Sequence, residues 1–172
     1  NAILPFKTVL GMIEKLNEID SKLTSRLRMN PEMKGWWQIS AFLAHSGDSW
    51  FWLLALVIIW FTSKTEWHDR AAIMAVGIFG LAMLVFAIKL ITRRRRPEGE
   101  WGEIYRRTDP HSFPSGHAAR AILLAVLAFG LGPPWFALLL VIWAPLVCLA
   151  RVFMSLHYLS DVVAGMVLGF AA

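Results

Sequence analysis

The chain of 172 residues combines 57% apolar side chains with only 17% charged ones, and its mean hydropathy is +0.54. Soluble domains carry roughly 25% charged residues, so this composition excludes an ordinary soluble domain; the abundant apolar side chains also exclude a disordered chain. The formal charge of +5 and the nine tryptophans are typical of a membrane protein whose ends lie among lipid headgroups.

Residues 5–30 are predicted to form an amphipathic interfacial helix that precedes the membrane spans. Apolar side chains recur there at helical spacing, with lysines and arginines between them. Such a helix either lies on the membrane surface or packs against a helical bundle, and the pattern favours neither arrangement.

The rest of the chain is predicted to cross the membrane five times, because a spanning helix needs about 20 mostly apolar residues. The predicted spans are residues 48–62, 71–91, 118–131, 135–154 and about 161–172. The first is short alone, although a semi-apolar stretch precedes it, and Gly47 is expected to break or bend the helix. The third and fourth form a hairpin around residues 132–134. The sequence therefore predicts an all-α, polytopic membrane bundle of about five to six helices in one domain, residues 1–172.

These spans place most lysines and arginines on one side of the membrane, together with the N-terminal segment, the 92–117 loop and the 155–160 turn. The positive-inside rule favours a cytoplasmic position for this side. Arginines that serve chemistry carry no topological information, however, so the orientation stays open.

Three clusters of ionisable residues fall on this side, and such groups at a membrane boundary are costly and usually functional. The first cluster is Lys89 with the run Arg93 to Arg96, followed by Pro97, at the end of the second predicted span. Four arginines alone are typical of a snorkelling anchor. Lys89 argues against that interpretation, because it lies inside the apolar span one turn before the run.

The second cluster is the segment Phe113-Pro114-Ser115-Gly116-His117, just before an apolar span. Ser115 is predicted to cap a helix N-terminus, where free backbone N–H groups and the helix dipole favour an anion. Gly116 lets the backbone approach a phosphate closely, and His117 on the first turn can donate a proton to a leaving group. The alternative is a simple capped helix with an interfacial histidine.

The third cluster is Arg151, His157 and Asp161. His157 and Asp161 are four residues apart, so a helical segment places them on one face. A carboxylate bonded to one ring nitrogen makes the other a better nucleophile or base, and a phosphate would satisfy the buried guanidinium. The alternative is structural, with Asp161 capping the last helix and pairing with Arg151.

Together, at least three cations, two histidines and one carboxylate on one face of a membrane bundle predict phosphoryl transfer. The segments resemble the signature of the type 2 phosphatidic acid phosphatase family: Lys, six residues, Arg-Pro; Pro-Ser-Gly-His; and Ser-Arg, five residues, His, three residues, Asp. The matching positions are Lys89, Arg96-Pro97, Pro114 to His117, Arg151, His157 and Asp161. Ala150 departs from the pattern, since the family usually has Ser there, and it is expected to weaken one phosphate hydrogen bond.

The resemblance implies the helical fold that this family shares with vanadium haloperoxidases, and a role for each matched residue. His157 attacks phosphorus to form a phosphohistidine, Asp161 orients and charges His157, and His117 protonates the leaving oxygen. The residues that bind the phosphate are Lys89, Arg96, Ser115, Gly116 and Arg151. No metal or other cofactor is expected, because the cations stabilise the charge and the sequence has no clustered carboxylates for Mg²⁺.

The resemblance also implies an integral lipid phosphatase of the cell membrane, whose partners are a lipid phosphate and membrane lipids rather than nucleic acid. The forms Arg-Arg-Arg-Arg-Pro and Ser-Phe-Pro-Ser-Gly-His-Ala-x-Arg are similar to the branch that acts on isoprenoid diphosphates, and Arg93 to Arg95 are expected to meet a second phosphate. Phosphatidic acid, phosphatidylglycerol phosphate and phosphorylated lipid A are alternative substrates. A phosphotransferase and a non-catalytic lipid phosphate-binding protein are alternative functions. The oligomeric state is left open.

Overall fold

The computed structural model describes residues 3–98 and 109–172, and these residues form seven helices and no strand. The helices are α1 (Ile3–Leu27), α2 (Lys34–Ser46), α3 (Ser49–Thr62), α4 (Glu66–Thr92), α5 (Gly116–Leu131), α6 (Pro134–Phe153) and α7 (Leu159–Ala171). The all-α prediction is confirmed. The number of helices exceeds the predicted five to six because α1 and α2 are separate helices before the first predicted span. Residues 99–108 of the predicted loop lie outside the described residues.

Helix α5 lies at the centre of the bundle and packs against α4, α6 and α7. Its contact with α7 is close because α7 presents Gly165 and Gly169, where a side chain would collide with the carbonyl oxygens of Ser115 and Ala119. Small residues allow helix backbones to approach in this way inside a membrane. The contact brings the start of α7 to the start of α5, and the Ser115 N–H donates to the Asp161 carbonyl at 2.9 Å.

Two of the described helices, α4 and α6, are long and apolar enough to cross a membrane. Helices α2 and α3 form a third crossing if they count as one span, bent by 59° at Gly47 as the sequence predicts. Helices α5 and α7 are apolar but have only 16 and 13 residues, so the length criterion supports fewer than the five predicted spans. The hairpin of α5 and α6 around residues 132–134 is confirmed.

Among the residues of α1 whose side chains the structure describes, polar residues rather than the apolar stripe contact the bundle. Asp20 and Thr24 bond to residues at the start of α7, whereas Leu16, Ile19 and Leu23 are exposed. An exposed apolar stripe beside a polar contact suits a helix that lies at the membrane surface. The interfacial position of residues 5–30 therefore stays a prediction that this geometry favours.

Candidate active site

The predicted site residues meet where the C-terminal end of α4, the N-terminal end of α5 and the turn before α7 come together. Arg151 and Asp161 are fully buried, and His157 is only 1% exposed. Lys89, Arg96 and Ser115 are buried beside them. Five buried ionisable groups at one end of a membrane bundle are costly unless they compensate one another, so their contacts define the site.

His157 lies in the turn before α7, and the expectation that it shares a helix with Asp161 is wrong. The chain reverses at this point through Ser155, whose φ of 53° is left-handed, and α7 begins only at Leu159. The turn still brings the two side chains together, with 3.6 Å between His157 Nδ1 and Asp161 Oδ2. The sequence thus predicts that the two side chains meet, but a turn rather than a shared helix brings them together.

The two ring nitrogens of His157 have different surroundings. The Arg96 guanidinium donates from Nη1 to His157 Nε2 at 3.1 Å, so Nε2 is the unprotonated nitrogen and Nδ1 carries the proton towards Asp161. Burial, together with the charges of Arg96, Arg151 and Lys89, lowers the pKa of His157 well below its ordinary value. The imidazole is thus held neutral, with a lone pair on Nε2 among cations.

Asp161 is bound by Arg94 rather than by Arg151. Arg94 donates from Nη1 to Asp161 Oδ1 at 2.6 Å and from Nη2 to Asp20 Oδ2 of α1 at 2.7 Å. The second carboxylate oxygen of Asp161 accepts the Tyr158 N–H at 3.0 Å, so the residue also caps α7. The structural alternative had two parts, that Asp161 caps the last helix and that it pairs with Arg151. The structure shows the cap but not the pair, because Arg151 donates to the Ala44 carbonyl at 3.1 Å.

The run Arg93 to Arg95 was expected to meet a second phosphate, but its contacts in the structure are different. Arg94 is engaged by two carboxylates, and its guanidinium lies 4.2 Å from the centre of the Tyr158 ring. Arg93 and Arg95 are exposed, and neither lines the cavity described below. Sequence reasoning gave the run one role because the carboxylates that bind Arg94 are distant along the chain.

Two of the predicted phosphate ligands, Lys89 and Arg96, converge on one carboxylate, that of Asp109. Lys89 Nζ and Arg96 Nη2 both donate to Asp109 Oδ2, the latter at 2.8 Å, and Arg96 Nε donates to the Asp109 carbonyl at 2.7 Å. Asp109 is the most accessible member of this group, with 42% of its side chain exposed. A carboxylate of the protein itself therefore already binds these two cations, and the sequence did not predict this contact.

His117 has a carboxylate partner of its own, which sequence reasoning also missed. His117 Nε2 lies 2.6 Å from Asp48 Oδ1, and Asp48 Oδ2 lies 3.7 Å from His45 Nδ1. Asp48 stands at the bend between α2 and α3. The available signal was a carboxylate at the start of an apolar span, where an ionisable group is costly.

The N-terminus of α5 is formed as predicted. The Ser115 hydroxyl accepts the Ala118 N–H at 3.5 Å, and Gly116 is the first helical residue. Gly116 and His117 line a cavity of about 640 Å³ together with Lys89, Asp109 and Arg120. One wall of this cavity is apolar and follows α4 away from the charged end, through residues Leu90, Phe86, Val85, Ala82, Leu81 and Ile78.

Within the two described ranges, no group of three or more His, Cys, Asp or Glu side chains is arranged to hold a metal ion. Each carboxylate near the site contacts a cation or a histidine instead. The site is therefore built from buried cations, two histidines and their carboxylates.

The fold and the site define an integral membrane helical protein with buried cations and two histidines at one end. The family model of the PAP2 superfamily matches residues 70–172, more than half of the chain, and the chain belongs to this superfamily. The family resemblance drawn from the three motifs is confirmed.

The relatives found by sequence are named as phosphatases of lipid-linked substrates, in agreement with the predicted enzyme class. Undecaprenyl-diphosphatase of Sulfolobus acidocaldarius is 29% identical over 76% of this chain, which spans 64% of that relative. Decaprenylphosphoryl-5-phosphoribose phosphatase of Mycobacterium tuberculosis is 27% identical, with 92% of this chain and 85% of the relative covered. Lipid A 4'-phosphatase of Bacteroides thetaiotaomicron is also 27% identical, with 92% and 75% covered.

Two solved structures share the fold. The PAP2-type phosphatidylglycerolphosphate phosphatase from Bacillus subtilis superimposes with a TM-score of 0.69 at 26% identity, covering 92% of this chain and 81% of that one. Aquifex aeolicus LpxE gives a TM-score of 0.67 at 19% identity, covering 87% and 89%, and supports the fold alone. The predicted fold class is confirmed.

Proposed function

We propose that the protein is a metal-independent lipid phosphatase that works through a phosphohistidine on His157. The observation that carries this proposal is the environment of His157: Arg96 donates to Nε2, while Nδ1 faces Asp161. A buried neutral imidazole, with a carboxylate 3.6 Å from Nδ1 and cations around it, suits a nucleophile that attacks an anionic phosphorus centre. A protein that only bound phosphate has no use for this orientation.

The proposed reaction has two steps. In the first, His157 Nε2 forms a bond to phosphorus, the bond to the leaving oxygen breaks, and His117 gives that oxygen a proton. In the second, water attacks phosphorus, His117 takes a proton from the water, and the P–N bond breaks to release phosphate. Lys89, Arg96 and Arg151 stabilise the charge on the phosphoryl oxygens, with Ser115 and the Gly116 backbone at the helix N-terminus.

The cavity suits a substrate with a polar head and a lipid tail. Its charged end holds Lys89 and His117, and its apolar wall follows α4 as far as Ile78, about 16 Å of helix. A tail lying along this wall stays in the hydrocarbon region while the phosphate reaches the cations. The site therefore favours a lipid phosphate over a soluble phosphate ester, and we place the protein in the cell membrane.

Within this class we favour an isoprenoid diphosphate. One relative is named undecaprenyl-diphosphatase, and another is named for a decaprenyl-linked phosphate. Arg120 lines the cavity one helical turn beyond His117, the proposed proton donor to the leaving group. A second phosphate beside His117 would gain this cation, so Arg120 replaces Arg93 to Arg95 as the proposed diphosphate ligand. A lipid monophosphate remains the alternative.

The proposal is tested by measuring inorganic phosphate release from lipids by the detergent-purified protein in EDTA. The panel contains an isoprenoid diphosphate, the matching monophosphate, phosphatidic acid and phosphatidylglycerol phosphate. We expect release that persists in EDTA and disappears in His157→Ala, while vanadate still binds the variant. Release that needs a divalent metal, or that survives in the variant, would overturn the mechanism.

The choice of diphosphate is tested separately with Arg120→Gln. We expect this variant to lose more activity on the diphosphate than on the monophosphate, with Arg93→Gln as the exposed control. Equal losses on both substrates would remove the structural reason for preferring a diphosphate.

A further inference from the structure

The bend between α2 and α3 delivers a carboxylate to the second histidine of the site. Asp48 Oδ1 lies 2.6 Å from His117 Nε2, and both side chains are largely buried. His117 is not adjacent to Asp48 along the chain, so this contact exists only because the bend packs against the start of α5. The bond is as short as a charge-assisted hydrogen bond between an imidazole and a carboxylate.

The position of Asp48 is fixed from several directions. The buried Arg120 donates to the Gly47 carbonyl, which ties the bend to α5 one turn beyond His117. A side chain at Gly47 would press against Val147 of α6 at 3.2 Å and the His117 ring of α5 at 3.4 Å, so the bend already lies in contact with both helices. The carboxylate is therefore presented to His117 by packed backbone.

A purely structural role for Asp48 is that of helix N-cap, and the observed geometry argues against it. Asp48 occupies the N-cap position of α3, where Asp is a preferred residue because its side chain accepts backbone N–H groups. Its side chain nevertheless makes no capping hydrogen bond and is directed to His117 and His45 instead. The stabilisation available from capping is forgone in favour of the histidine contact.

We propose that Asp48 is the positioning residue of the acid His117, and this inference rests on the proposed phosphatase function. The Nε2–H of His117 donates to the Asp48 carboxylate, so the proton for the leaving oxygen is transferred from Nδ1. The carboxylate fixes the ring orientation and stabilises the imidazolium before the transfer. Each histidine of the site then has its own carboxylate, Asp161 for the nucleophile and Asp48 for the acid.

The test uses two substrates that share one alkyl chain and differ in leaving group. One is a long-chain alkyl phosphate, whose leaving alkoxide needs a proton; the other carries the chain on a nitrophenyl phosphate, whose leaving phenolate does not. We expect Asp48→Asn to lower kcat/KM for the alkyl phosphate about 100-fold, the range of general acid catalysis, and for the aryl phosphate less than about tenfold. Because kcat/KM covers the steps up to phosphoenzyme formation, hydrolysis of the phosphohistidine does not mask the difference.

Three further variants separate positioning from folding. Asp48→Ser keeps a good N-cap residue for α3 and removes the carboxylate, so we expect it to show the same leaving-group dependence as Asp48→Asn. In a His117→Ala background, Asp48→Asn is expected to add little further loss, since a residue that acts through His117 has no separate effect. Asp69→Asn, an exposed carboxylate near the start of α4, is the matched control and is expected to behave as wild type.

Each outcome of these experiments either supports or overturns the proposed role of Asp48. Equal losses on both substrates, additive losses with His117→Ala, or recovery of alkyl phosphate turnover in Asp48→Ser would each overturn it. If Asp48→Asn fails to fold, judged by gel filtration and vanadate binding, the folded Asp48→Ser variant carries the test. A wild-type protein that releases phosphate from neither of these substrates, nor from the isoprenoid diphosphate and the other lipids of the panel, would instead contradict the proposed function, which keeps the two failures distinct.

Discussion

At the scale of single residues, two of the buried cations of the site already share one carboxylate of the protein. Asp109 binds Lys89 and Arg96, two of the three cations expected to hold a phosphate. Since His157 faces the same Arg96, a phosphoryl group that reaches this proposed nucleophile must take over these contacts. We therefore expect Asp109 to compete with substrate and with product phosphate for the same donors.

Asp109→Asn is expected to tighten the binding of vanadate and inorganic phosphate by about tenfold. A hydrogen bond to a charged group contributes roughly 1.5–3 kcal/mol, and the neutral amide gives up part of that competition. The measurement is inhibition of lipid phosphate hydrolysis by each anion, with Asp69→Asn as control. Unchanged or weaker inhibition would show that the Asp109 carboxylate does not occupy the phosphate position.

The neutral state of His157 has a consequence for stability. Burial and the neighbouring cations lower its pKa well below about 6.5, the ordinary value, so between these two values the unfolded chain binds a proton that the folded chain does not. The free energy of unfolding therefore falls as pH decreases through this window, by up to about 1.4 kcal/mol per pH unit. Thermal unfolding in detergent between about pH 7.5 and 5.5 measures this slope. We expect a shallower slope in His157→Gln, and identical slopes in both proteins would contradict the buried neutral imidazole.

At the scale of elements, α1 is joined to the partner carboxylate of the proposed nucleophile through Arg94. The guanidinium bridges Asp20 of α1 and Asp161 of α7, and the Ser160 N–H donates to the other oxygen of the Asp20 carboxylate at 3.1 Å. The amphipathic helix thus contributes to the orientation of Asp161, and through it of His157. With α1 at the membrane surface, as predicted, this bridge would couple the candidate site to that surface.

Arg94→Gln is expected to lower phosphatase activity on diphosphates and monophosphates by the same factor, because it loosens Asp161 rather than a substrate contact. The neighbouring Arg93 is the matched control, since it is exposed and donates to the Leu90 carbonyl at the end of α4. Arg93→Gln should keep near wild-type activity. A loss confined to the diphosphate would instead return Arg94 to the role of phosphate ligand that the arginine run first indicated.

Whether the sequence predicts a feature depends on how far apart its residues lie along the chain. Helix positions, the cap at Ser115 and the bend at Gly47 are local, so apolar patterning and residue type sufficed. The pairing of His157 with Asp161 was also local, although its helical reason was wrong. The contacts of Asp20, Asp48 and Asp109 were missed because their partners lie between 13 and 74 residues away, and a local pattern, even the costly carboxylate at the start of an apolar span, does not identify a distant partner.

At the scale of the whole molecule, the polar site and the lipid-facing surface meet along α4. Exposed large apolar side chains are frequent on α3, α4 and α6, as expected for helices whose solvent is hydrocarbon. The cavity opens on the same side, between the start of α3 and the second half of α4, and includes Ser49, Trp50 and Phe86. A substrate tail can therefore reach the site from the bilayer while its phosphate stays at the charged end.

A side chain that fills the apolar part of this cavity should discriminate substrates by tail length. Ala82 lines the cavity and is half-buried, so Ala82→Trp places an indole where the tail of the proposed substrate lies. We expect a raised KM for a long polyprenyl diphosphate and little change for a short isoprenoid diphosphate, whose tail ends before Ala82. Ala87→Trp is the matched control, because Ala87 is exposed on the same helix and does not line the cavity. Equal effects of Ala82→Trp on both tails would mean that the tail leaves the site by another route, and the apolar wall of α4 would then be ordinary lipid-facing surface.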